Sequence, residues 1–164
     1  LAGEEYYKHS EAEIKSARKR SFEYLENNHL VMNVEEEYKQ FAFFYGEISR
    51  YLNLGLNELQ IREISHDRTF NMKNYVSYPD VAEVLETLSK THKLGVISDT
   101  WPSIEQQLQS LGLRNYFSVS TYSCFLGIFK PDERMYLDAL EKMGFPAEDT
   151  VFILVLGFST VVTW

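Results

Sequence analysis

Two hydroxyl residues flanking an aspartate at one point in the chain, and a lysine about thirty positions later, are of types that can build a phosphate site. Ser98, Asp99 and Thr100 follow the run Lys93-Leu94-Gly95-Val96-Ile97, and Lys130 stands within Gly127-Ile128-Phe129-Lys130-Pro131-Asp132. The first segment is short, apolar and β-branched before it turns polar, which predicts a buried strand over residues 94–98. The second puts a lysine just ahead of a helix start. In an open α/β sheet, ligands sit beyond the carboxyl ends of the strands, so a strand-tip hydroxyl and a nearby lysine can converge on one phosphate. Side chains of adjacent strand residues point to opposite sides, so Asp99 reads as a pocket-rim residue beside Ser98. Thr100 and Trp101 open the following loop, where Trp101 either flanks a substrate or covers the core. Asp132 reads as charge compensation at a helix N-terminus.

The elements around these residues are legible as periodicities. Residues 4–27 read as one helix, with Ile14, Ala17 and Leu25 on its apolar side and the basic run Lys15, Arg18, Lys19 and Arg20 on a solvated one. Asn33 followed by Glu36 is a capping signal, and Val34, Tyr38, Phe41, Tyr45, Ile48 and Leu52 recur at helical steps after it. A third helix runs from Leu56 to Phe70. Phe41, Phe43, Phe44, Tyr45 and Tyr51 crowd this part and read as helix-on-helix core; lining a pocket, they would imply a substrate with an apolar portion. Asn71 to Tyr78 has no periodicity and reads as a linker.

Beyond it, Pro79 suits a helix start, with Val81, Val84, Leu85 and Leu88 as a buried stripe. A strand follows at 94–98, then a helix at 103–111, a strand at 116–122, a helix at 131–143 beginning on Pro131, and a third strand at 151–156. Strand and helix alternating at these spacings predict parallel α/β winding. The expected division is residues 1–77 as a helical region and 78–164 as an α/β core. Gly157 to Trp164 reads as a β-prone, uncharged tail able to pair with a sheet edge, so self-association through that edge or tail is expected.

The segments LGVISDTWPSIEQQLQSLGL and GIFKPDERMYLDALEKMG resemble the second and third motifs of the haloacid dehalogenase-like hydrolase superfamily, in its branch with a helical cap. The resemblance implies a Rossmann-like parallel sheet with an N-terminal helical cap. It further implies phosphatase-like hydrolysis of a small phosphorylated metabolite through an aspartyl-phosphate, with Mg2+ as cofactor. By the family pattern, Ser98 bonds the transferring phosphoryl group and Lys130 neutralises charge on nucleophile and phosphate. These two are the candidate catalytic residues, and Ser98, Asp99, Thr100 and Lys130 form the candidate substrate-binding set. The family's first motif, a strand ending in an Asp-x-Asp-type nucleophile, has no counterpart here, so the core is expected to lack its first strand. Leu154-Val155 stands where the fourth motif's acids belong. Aspartyl-phosphate chemistry needs an attacking carboxylate and a shielding cation, which Ser98 and Lys130 do not supply. The expectation is therefore a catalytically incomplete chain that still binds phosphate weakly, or a non-catalytic binding protein on the same fold.

Composition narrows the partners. A formal net charge of -8 with no basic stripe argues against a general nucleic-acid binder and favours a small phosphorylated ligand. Cys124 is the single cysteine, which excludes an intrachain disulfide and fits a reducing cytoplasm. No secretory h-region opens the chain, and no segment is suited to span a membrane. His9, His29, His66 and His92 lack zinc-ligand spacing and read as solvated or locally bonded, so no metal ligand is assigned. The leading leucine suggests a fragment or processed product.

Overall fold

The computed structural model describes residues 2–153. Four helices come first: α1 (Ala2–Tyr6), α2 (Glu11–Asn27), α3 (Val34–Tyr51) and α4 (Glu58–Phe70). The single helix expected over 4–27 is broken because Ser10 caps α2. Its hydroxyl accepts the Glu13 N–H at 3.3 Å, and the Glu13 carboxylate accepts the Ser10 N–H at 2.9 Å, a reciprocal box that fixes the start. Asn33 caps α3 by accepting the Glu36 N–H at 2.9 Å, while Glu36 reaches past it to the Met32 N–H at 2.8 Å. The aromatic cluster is mainly core: Phe41 and Phe44 are 6% exposed and pack with Ala17, Leu25, Ile48 and Leu52.

The second half contains α5 (Val81–Ser89), β1 (Leu94–Ser98), α6 (Ile104–Ser110), β2 (Phe117–Tyr122), α7 (Ser123–Leu126) and α8 (Glu133–Met143). β1 and β2 pair in parallel, from Leu94 opposite Phe117 to Ser98 opposite Tyr122. This is the α/β class, with an incomplete Rossmann-like sheet of two strands among the described residues. One end of α8 is fastened to the sheet by Thr121 Oγ1 donating to Asp138 at 2.5 Å and by Lys142 Nζ donating to the Ser120 carbonyl at 3.0 Å. Its apolar side buries Met135 completely.

Three expectations need correction. The third strand does not form over residues 151–153, which join no ladder among the described residues and stand exposed at 87%, 47% and 77%. An apolar run becomes a strand only when a ladder partner takes its N–H and C=O groups. Residues 154–156, and the tail from Gly157 to Trp164, lie outside the described residues. The stripe Val81, Val84, Leu85 and Leu88 is amphipathic as expected but not buried: no residue of α5 is, and Val84 is 48% exposed. Pro131 does not open α8. Asp132 does, as its N-cap, accepting the Arg134 N–H at 3.0 Å, and this side chain also takes the Arg134 guanidinium.

Candidate functional site

β1 ends at Ser98, and the chain turns at Asp99 and Thr100 to enter α6. Ser98 and Thr100 are half-buried and Asp99 is exposed at the rim. Lys130 arrives from the other direction, after β2, α7 and the turn at Gly127. Gly127 has φ 66°, a left-handed conformation that glycine adopts without a Cβ penalty, and a Cβ there would stand 3.3 Å from Leu30 Cβ. The Lys130 N–H donates to Asp99 Oδ1 at 2.9 Å, and Lys130 Nζ lies 3.4 Å from the Ile97 carbonyl. The four residues singled out from sequence therefore meet at the carboxyl end of β1. There Asp99 anchors the lysine segment and leaves the ammonium beside the strand tip.

Four residues outside that set hold the turn. Ser123, fully buried at the end of β2, accepts the Thr100 N–H at 2.8 Å, and its oxygen is 3.2 Å from the Thr100 carbonyl. His29, from the loop between α2 and α3, places Nε2 2.7 Å from the same hydroxyl. Glu37 on α3 is fully buried and accepts the Ser103 N–H at 2.7 Å and the Ser103 hydroxyl at 2.8 Å, satisfying the start of α6 from a distant helix. Trp101 packs in both apolar clusters, edge-on to Phe41 at 5.1 Å and against the group of Val31, Tyr122 and Cys124. Of the two sequence readings of Trp101, the structure supports the core-covering one.

The electrostatics follow burial. Burial pushes the Glu37 carboxyl above its ordinary range, opposed by the Ser103 hydrogen bonds and by Arg68, whose guanidinium is 3.8 Å away. Burial lowers the His29 pKa, with the Asp99 charge acting against it. The Cys124 thiol is pushed up to about 12 by burial, which leaves it unreactive at neutral pH.

His29 corrects the reading of all four histidines as solvated or local: it is 3% exposed, and its partner is 94 positions away. His92 does bond locally, to Thr91 at 2.8 Å. Glu37 had a signal in the sequence, because it lies three residues after Val34 and four before Phe41, on the stripe that must be buried. An acid there needs partners. Ser123 had a fainter one, as a hydroxyl at the carboxyl end of the second strand. Nothing local marks His29.

A separate groove of about 590 Å³ opens on the helical layer, lined by Tyr38, Arg62, Glu63, His66, Asp67 and Phe70 with Asn71. Asp67 there is engaged by Asn71 at 2.8 Å and Asn74 at 3.0 Å, and Arg62 pairs with Glu58. These charges stabilise helix ends, and the sequence-identified residues at the end of β1 remain the candidate site.

A family model described as haloacid dehalogenase-like hydrolase matches residues 3–153. The chain belongs to that family. It is 29% identical over 77 residues to Pyrimidine 5'-nucleotidase YjjG of Escherichia coli (strain K12), a segment that covers 46% of this chain and 34% of the relative. The chain thus matches about a third of that relative's length. No solved structure matches it. Hydrolase chemistry of the phosphatase-like kind is the family's, and its members generally use Mg2+.

The donor set at this strand end does not fit that ion. Asp99 contributes one carboxylate, already accepting the Lys130 N–H, and the neighbouring groups are the Ser98 and Thr100 hydroxyls, one backbone carbonyl at Ile97 and the Lys130 ammonium. Mg2+ demands several oxygen ligands in a near-octahedral arrangement. Among the described residues no group of three or more His, Cys, Asp or Glu could hold a metal ion. Also among the described residues, no helix is long and apolar enough to cross a membrane.

Proposed function

We propose that this chain carries the phosphate-holding half of a family phosphohydrolase and binds the phosphate group of a small phosphorylated molecule, a nucleoside monophosphate being the first candidate. In this reading residues 1–77 are the helical cap and residues 78–164 the core. Ser98 and Thr100 offer hydroxyls, and Lys130 offers a positive charge to the same oxygens. The observation that carries the proposal is the meeting of Lys130 with the end of β1, where Asp99 Oδ1 takes the lysine N–H and Nζ stands by the Ile97 carbonyl. The nucleotide suggestion rests on the resemblance to the pyrimidine 5'-nucleotidase.

Holding is separate from turnover. The family's reaction proceeds by attack of an aspartate, giving an aspartyl-phosphate, and needs a cation to shield the two negative groups from one another. Asp99 is engaged at the rim, and the donor set does not fit the ion. The chain as given is accordingly proposed to bind without hydrolysing, as a non-catalytic phosphate-binding module of the fold.

Titration with inorganic phosphate, followed by backbone amide shifts, tests binding. Shifts confined to residues 98–100 and 127–131, reduced by salt and by Lys130→Ala, are expected. Their absence at high phosphate would refute the binding site. An aryl phosphate assayed with Mg2+ tests the second half: no turnover is expected, and magnesium-dependent turnover abolished by Lys130→Ala would overturn it.

A further inference from the structure

The hydroxyl of Ser123 has one proton to donate and two lone pairs to fill. Three groups surround it: the Thr100 N–H at 2.8 Å, the Thr100 carbonyl at 3.2 Å and His29 Nε2 at 2.7 Å. One arrangement satisfies them all. The hydroxyl donates to the carbonyl and accepts both from the Thr100 amide and from a protonated His29 Nε2. Nδ1 then carries a bare lone pair, and Nδ1 is indeed buried without a hydrogen-bond partner among the described residues. The opposite tautomer would bury an unpaired N–H and draw the Ser123 proton away from the Thr100 carbonyl, leaving two groups unsatisfied instead of one.

The imidazole is also wedged between the two segments of the phosphate site. It stacks on Phe129 with ring centroids 4.1 Å apart and meets Trp101 edge-on at 4.8 Å. Phe129 precedes Lys130 and Trp101 follows Thr100, so one ring braces both. Its own loop is fixed by the Val31 N–H donating to the Cys124 carbonyl at 2.9 Å.

We infer that His29, as its Nε2–H tautomer, is a positioning residue that clamps the Thr100 backbone through Ser123 and braces Phe129 beside Lys130. It touches no ligand itself. The consequence for phosphate affinity rests on the binding reading above, whereas the clamp does not, and the two can fail separately.

The test uses the intact chain. Long-range proton–nitrogen correlation of the histidine side chains should show His29 protonated at Nε2 alone near neutral pH. Amide exchange at Thr100 should accelerate roughly fivefold to tenfold in His29→Ala and in Ser123→Ala, the worth of one hydrogen bond. It should return towards the parent rate in His29→Gln, whose Nε2 can donate from a similar position. Affinity for inorganic phosphate should fall severalfold in His29→Ala and recover in His29→Gln. An Nδ1–H tautomer, or Thr100 exchange indifferent to both alanine variants, overturns the inference. If Thr100 responds but the parent chain binds no phosphate, the clamp stands and the binding reading falls. Should His29→Ala fail to fold, the tautomer and the Ser123→Ala exchange rate still decide it.

Discussion

α5 and α8 are two amphipathic helices of the same half of the molecule, and they meet opposite fates. α8 lies against β1 and β2, buries Met135 completely and ties Asp138 and Lys142 to β2. α5 carries an apolar stripe as regular, yet Val84 stays 48% and Leu88 37% exposed, and no residue of the helix is buried. Periodicity thus states that a helix has a face to bury. Whether the face is buried depends on a second surface, which β2 gives to α8. Stability should follow the surface and not the pattern.

The sharpest break of that comparison is substitution along the two stripes. Met135→Ala should lose about 2–5 kcal/mol of stability in urea unfolding, from lost burial plus a cavity. Leu88→Ala should cost far less, and a loss comparable to Met135→Ala would show that α5 is packed after all.

Next in size is Glu37, where a polar group is buried in the manner of α8 rather than exposed in the manner of α5. Glu37→Ala strands the Ser103 N–H and hydroxyl and should cost about 1–3 kcal/mol, while Glu37→Gln keeps an acceptor and should cost less. The pH dependence has a definite sign. Because burial raises this carboxyl above its ordinary 4.5, the native state binds more protons than the unfolded state just above that value. Glu37 therefore makes stability fall as pH rises through the window from 4.5 to the raised pKa. Unfolding measured across that window should show a downward slope in the parent chain that flattens in Glu37→Gln; identical slopes would refute the assignment.

How far the sequence carried can be judged from the same residues. β1 was legible residue for residue, because an apolar β-branched run bounded by polar residues leaves little freedom. α3 was legible from a stripe and a cap. Ser98, Asp99, Thr100 and Lys130 are singled out by strand-end logic and family resemblance together, and the structure places them at one sheet end. The break at Ser10 was missed although its capping box is written in Ser10 and Glu13. The strand expected at 151–156 failed within its described part for want of a ladder partner, a property of other residues. His29 was invisible for a related reason, and Ser123 only faintly marked: their role exists only as a pair, and no local pattern records a partner 94 positions away.

The smallest effect concerns the uncovered face itself. Exposed apolar stripes invite association, so sedimentation should show concentration-dependent oligomers of this chain, reduced in a Val84→Glu, Leu88→Glu double variant. A monomer at all accessible concentrations, unchanged by that variant, would mean that the exposed stripe is inert.

The contact between the loop after α2 and the segment after β2 also sets a timetable. Closing a chain loop of 94 residues costs on the order of 4 kcal/mol in entropy before any contact repays it. Contacts of such separation slow folding. On a ribosome, α2 and α3 are complete long before Cys124 exists, so Val31 must wait, uncovered, for the carbonyl it will donate to. The last turn of the candidate site is thus set by one of the first loops made, and a nascent chain stopped short of residue 123 would hold its helices with nothing yet to clamp.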